Sequence, residues 1–153
     1  MEKNILQAKT GTVIAKPAHD VFEAIVDPIK MSRYFITTGS GRLETGKTVD
    51  WTWADVNAEL TVKVSKVVKD RSISFLWSAS GVETRVELKL ERIDDQTTKV
   101  EVVEIGWPPD PEGIARLAEQ TQGWVHMLCC LKAYLEYGIN LRTGNPRAAR
   151  ESH

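Results

Sequence analysis

The last third of the chain fixes most of what this protein can be. From Ile114 the positions Ile114, Leu117, Thr121, Trp124, Leu128, Leu131, Leu135 and Gly138 follow a 3-4-3-4 spacing with one polar member. That spacing holds a stripe on one side of a long α-helix. The segments between Gly39 and Trp107 instead alternate with a period of two, which is the pattern of strands. An amphipathic helix that follows an antiparallel sheet buries its stripe across that sheet. If the sheet curves, helix and sheet enclose a space between them.

The strand phases say which side chains would face that helix. Val49, Trp51 and Trp53 share a face, as do Leu60, Val62 and Val64, and Ile73, Phe75 and Trp77. From Val82 to Glu91 the odd positions are all charged and the even ones are Val82, Thr84, Val86, Leu88 and Leu90, so one face is wet and the other packed. Asp94-Asp95-Gln96-Thr97 reads as the turn to a partner strand from Lys99 to Gly106. Carried across that turn, the inward phase lands on Val100, Val102 and Glu104. A carboxylate at the inner end of an apolar face needs partners, and it is a candidate acid–base residue or polar ligand contact. The opposing reading is a bulge that shifts the phase, or a solvated position at the rim.

Before the sheet, Leu6 to Ala15 is β-prone. Pro17 suits the first turn of a short helix with a stripe of Phe22, Ile25, Val26 and Ile29. Asp27-Pro28 reads as the cap and first turn of a second short helix running to Tyr34-Phe35, with a flexible connection at Thr38 to Gly41. Asp110-Pro111-Glu112 opens the final helix, expected from Pro111 to Tyr137. Gly123 in its middle implies a close backbone approach to the first helices or a local bend, because glycine there costs about 1 kcal/mol relative to alanine. The stretch from Arg142 to His153 reads as a polar tail. One domain over residues 1–140, with 141–153 as a polar flexible tail, is the expected organisation.

This order of strand, two short helices, antiparallel strands and long final helix resembles the START-like superfamily, also called SRPBCC or helix-grip proteins. The chain is most similar within it to the activator of heat-shock-protein-90 ATPase homologue family. The resemblance is carried by Pro17-Ala18-His19-Asp20-Val21-Phe22, Asp27-Pro28 through Arg33-Tyr34-Phe35, Phe75-Leu76-Trp77, Thr98-Lys99-Val100-Glu101-Val102, and Gly123-Trp124 with Leu128 and Leu131. Phe22 and Tyr34 stand where that family often carries tryptophan. The resemblance implies an α+β helix-grip fold, a curved antiparallel sheet of six to seven strands around a long C-terminal helix.

Five tryptophans, Trp51, Trp53, Trp77, Trp107 and Trp124, supply flat apolar surface with indole N–H groups as polar handles. The candidate ligand-binding set is therefore Trp51, Trp53, Phe75, Trp77, Val102, Glu104, Trp124, Leu128 and Leu131. The function expected is the binding of a small hydrophobic or aromatic molecule in a closed cavity between sheet and helix. Two alternatives stand beside it. One is a protein-interaction module resembling chaperone ATPase activators, with a chaperone or other protein as partner. The other is a cyclase- or lyase-type enzyme using Glu104 or Asp55, although Ala54 to Asn57 also reads as a hairpin turn. No nucleophile–base pair, cofactor motif or phosphate loop is present. The three histidines, His19, His126 and His153, offer no metal-ligand spacing. Cys129 and Cys130 are adjacent, which disfavours a disulfide, and read as buried small hydrophobes in a reducing, cytoplasmic setting. A net charge of −1 gives no reason to expect nucleic acid. Met1 to Asn4 does not open a secretory signal, and no stretch is apolar enough for a membrane span.

Overall fold

The computed structural model describes residues 5–144; the tail assignment beyond Gly144 and the reading of Met1 to Asn4 lie outside them. Strand β1 (Gln7–Ile14) leads into α1 (Ala18–Val26) and α2 (Pro28–Met31). Then come β2 (Thr38–Gly39), β3 (Thr48–Trp53), β4 (Ala58–Val68), β5 (Ser72–Trp77), β6 (Thr84–Asp94) and β7 (Thr97–Ile105), and α3 (Pro111–Tyr137) closes the fold. The seven strands form one antiparallel sheet in the order β1-β7-β6-β5-β4-β3-β2. Every step except β1 to β7 joins neighbours in sequence. The fold is a helix grip, with α3 against one face of the sheet.

The alternation places the core. Thr84, Val86, Leu88 and Leu90 on β6 and Thr98, Val100, Val102 and Glu104 on β7 are buried on the same face, in the register Val86–Glu104, Leu88–Val102 and Leu90–Val100. A register shift falls between Arg92 and Asp94, after the phase has been set. Trp51, Phe75 and Trp77 fill the centre, with ring centroids 5.3–6.1 Å apart in edge-to-face pairs.

Some local expectations need correction. The second short helix stops at Met31, because after it the backbone tightens into turns, with Tyr34, Phe35 and Ile36 all donating to the Met31 carbonyl. Asp27 caps it by accepting from the Ile29 N–H at 2.9 Å. Ile29 itself is exposed, since so short a helix presents one side only. Thr38–Gly39 is not a loose connection but an edge strand on β3. On α3 the buried face holds Trp124, Met127, Leu128, Cys130 and Leu131, while Ile114 is exposed and Cys129 is not buried. The first turns of the helix therefore overhang the packed sheet.

Gly123 is the clearest reversal. An added Cβ there would meet nothing within 4 Å, so no close approach requires it. At Gly113 the same atom would fall 1.9 Å from the Pro108 carbonyl oxygen, beside the Asp110 cap that accepts from the Gly113 N–H at 2.8 Å. Gly123→Ala is expected to stabilise the protein by about 1 kcal/mol. Gly113→Ala is expected to destabilise it by about 1–3 kcal/mol. Urea unfolding of the two variants checks this pair, and effects of equal sign would contradict it.

The edge strand β1 is tied to the last turns of α3. Glu136 Oε2 accepts from the Ala15 N–H at 2.8 Å and from Lys132 Nζ at 2.8 Å, and Lys132 also donates to the Val13 carbonyl. The Lys132 ammonium and then the Ala15 N–H hold the Glu136 carboxyl below its ordinary value. Arg42, in a two-bond pair at 2.9 and 2.6 Å, does the same to Glu23. Folded-state values below the unfolded ones mean that this stabilisation is present above the ordinary glutamate range. It is lost as pH falls through the folded values. Thermal midpoints should thus drop on acidification below about pH 4.5, and less steeply in Glu136→Gln; equal slopes for the two proteins would refute the assignment.

Candidate functional site

Glu104 is fully buried at the inner end of β7, opposite Ala8 on β1 and Val86 on β6. Four side chains converge on it. Trp77 and Thr84 are cross-strand partners where β5 meets β6. The Trp77 Nε1–H donates to Oε2 at 3.0 Å and the Thr84 hydroxyl donates to the same oxygen at 2.5 Å. Gln120 and Trp124 lie four residues apart on α3 and so share a face. The Trp124 Nε1–H donates to Oε1 at 2.7 Å, and Gln120 Nε2 lies 3.1 and 3.4 Å from Oε1 and Oε2. Every bond runs towards the carboxylate, and indole nitrogens can only donate. Its partners among the described residues are neutral, so fixed dipoles rather than a counter-charge surround Glu104 there.

This arrangement shapes the space next to it. The closed cavity expected between sheet and helix is instead an open cleft of about 260 Å³ between α3 and the β3–β4 end of the sheet. Phe35, Trp53, Trp77 and Trp124 form its aromatic wall, Val56, Leu60 and Ala79 its aliphatic side, and Gln120, Gly123 and Arg142 the rest. Trp77 and Trp124 stack at 5.4 Å with planes 29° apart, and Phe35 meets Trp53 edge-on at 5.5 Å. Of the three tryptophans lining the cleft, only Trp53 has an N–H without a partner among the described residues. Behind Phe35, Tyr34 donates to the Ala24 carbonyl at 3.0 Å, and burial raises its phenol well above the usual value. At the mouth, Arg142 pairs with Asp55, its Nη1 donating to Oδ1 at 3.1 Å and its Nη2 lying 3.0 Å from Oδ2. Gly138 in the left-handed region (φ 67°) ends α3, and Arg142 follows it.

The expected ligand set divides in two. Trp53, Trp77 and Trp124 belong to the packed core and also line the cleft, whereas Trp51, Phe75, Val102, Leu128 and Leu131 lie in the core alone. Glu104 sits behind the wall, screened by Trp77, Trp124 and Gln120. Asp55 is in the 3₁₀ turn at 54–56, exposed and paired with Arg142. Trp107 is buried over the end of the sheet, its N–H donating to the Ser80 hydroxyl at 3.0 Å. His126 is exposed and lies 3.6 Å from the Cys130 sulfur. Burial pushes that thiol upward, away from the reactive thiolate. A larger depression of about 930 Å³ on the outer face of the sheet is lined mainly by charges of both signs, including Glu87, Lys89, Glu91 and Glu101. Phe35, Thr84, Gln120 and Arg142 are absent from the sequence-based set; the four-residue spacing of Gln120 and Trp124, unused there, is the signal that could have found one of them.

The family model described as "Activator of Hsp90 ATPase homolog 1-like protein" matches residues 15–136. The chain belongs to this family. The Activator of Hsp90 ATPase homolog 1-like assignment agrees with solved structures. Protein SSP2350 from Staphylococcus saprophyticus is 32% identical, with a TM-score of 0.78 over 89% of this chain and 96% of that one. BexL, a di-domain ARO/CYC from the BE-7585A biosynthetic pathway, is 17% identical, with a TM-score of 0.74 over 85% of this chain and 46% of that one. PFC0360w, an HSP90 activator from Plasmodium falciparum, is 12% identical, with a TM-score of 0.68 over 87% of this chain and 96% of that one. No curated protein matches the chain.

Proposed function

We propose that this protein holds a small, flat, apolar or aromatic molecule in the cleft beneath α3. One observation carries the reading. Glu104 draws the N–H groups of Trp77 and Trp124 inward, which leaves their rings and that of Phe35 as the wall of an accessible cleft. A site of about 260 Å³ is below the range usual for drug-sized ligands, roughly 300–1,000 Å³, so the occupant is one of one or two fused rings. The fold is shared by an ARO/CYC protein and by an HSP90 activator. The aromatic cleft favours a small-molecule role over a purely protein-binding one. Neither carboxylate suited to acid–base work reaches the cleft unengaged, which favours holding over turnover.

The test is native mass spectrometry of protein from its own host, together with titration of tryptophan fluorescence by naphthalene. A retained small molecule or saturable quenching is expected. Because a side chain grown from Gly123 enters open space at the cleft, Gly123→Leu is expected to weaken naphthalene binding about tenfold or more, equivalent to roughly 1.4 kcal/mol. No retained mass and no saturation in the unmodified protein would end the proposal.

A further inference from the structure

A primary amide is planar, with two donors on nitrogen and an acceptor on oxygen. Its two orientations are distinguished by what surrounds it. For Gln120 the surroundings decide: Nε2 faces both oxygens of Glu104, and the flipped amide would set a carbonyl oxygen against a carboxylate. The amide nitrogen is therefore committed inward. Oε1 receives no hydrogen bond from the described residues, yet among these no buried side-chain polar atom lacks a partner, so this oxygen is open to the outside. Gln120 lines the cleft and, on its other side, a polar depression shared with Ser80, Arg116 and Glu119.

From this we infer that the cleft selects ligands carrying a hydrogen-bond donor, and that Gln120, locked by Glu104, is the residue that reads it. The inference rests on the ligand-holding reading and narrows it to aromatic rings bearing an N–H or O–H directed at α3. The Glu104 carboxylate works here as a positioning residue: it fixes which end of the Gln120 amide the ligand meets. A ring presenting only an acceptor at that point would confront Oε1 with a second lone pair. The preference should thus be for donor over methylated analogue, although the added methyl increases the apolar area available for burial.

Indole and 1-methylindole form the probe pair, titrated by calorimetry into the wild-type protein and into Gln120→Met. The wild type is expected to bind indole more tightly. In Gln120→Met the affinity ratio of indole to 1-methylindole should fall about five- to tenfold, the size of one neutral hydrogen bond. Both probes binding with the ratio unchanged by the substitution would overturn the inference and leave the ligand-holding reading standing. Failure of both probes and of naphthalene to bind the wild type, with no mass retained in native mass spectrometry, would overturn both. Should Gln120→Met not fold, the wild-type comparison decides alone: 1-methylindole binding as tightly as indole overturns the inference.

Discussion

Glu104→Gln is expected to lower stability by about 2–4 kcal/mol, although the replacement barely changes size or shape. Among the described residues the shell around the carboxylate consists only of donors, and glutamine replaces one accepting oxygen by a donating nitrogen. At least one of the N–H or O–H groups from Trp77, Thr84, Trp124 or Gln120 then faces another donor. An unsatisfied buried polar group costs about 1–3 kcal/mol, and the bonds that remain lose their charge assistance. In a chain of this size each kcal/mol moves the thermal midpoint by about 2–4 °C, so a fall of roughly 5–15 °C is expected in scanning calorimetry. An unchanged midpoint would mean that the shell is not the donor cage described above.

Trp124 links the same cage to the core and the cleft, and its replacement should have the other large effect. Trp124→Ala removes a buried indole and the donor to Oε1 together, with an expected loss of about 3–5 kcal/mol. Trp124→Phe keeps most of the ring and removes the N–H, with an expected loss of about 1.5–3 kcal/mol. Combined with Glu104→Gln, Trp124→Phe should cost less than the sum of the two, because each change removes the same hydrogen bond. Denaturant unfolding of the four proteins measures the coupling. Strict additivity would show that the 2.7 Å contact carries no energy.

These residues also mark how far sequence reading reaches. Alternation along β6 carries the inward phase over a short hairpin to Glu104, because a period of two leaves no freedom until a bulge intervenes. The bulge lies near the turn, at Arg92–Asp94, and leaves the inner positions in step. Six of the seven strands and the bounds of α3 were legible for the same reason: local periodicity and capping chemistry determine them, whereas the two-residue strand Thr38–Gly39 is too short to show a period. The depth of Glu104 was not. That depends on indoles from β5 and α3 arriving at one carboxylate, a meeting of residues 20 and 27 positions distant. The stripe on α3 holds from Trp124 to Leu135 and fails at Ile114 and at Gly138, the exposed cap, since periodicity describes a helix face and not how much of the helix the sheet underlies. Gly123 misled for a related reason. A glycine can mark crowding or vacancy, and only the neighbours distinguish them.

The place of β1 in the sheet has a kinetic consequence. Gln7 pairs with Ile105, so the first strand made has no neighbour until the last strand exists. During synthesis the hairpins from β3 to β6 can close as they emerge, while β1 waits with its edge unpaired. Pairings of such long separation are slow to form, on the order of milliseconds to seconds for sheets dominated by non-local contacts. A nascent chain that stops before β7 leaves β1 available to other strands. Docking of β1, fastened by the Lys132 and Glu136 contacts from the last turns of α3, therefore completes the sheet only after β7 has been made.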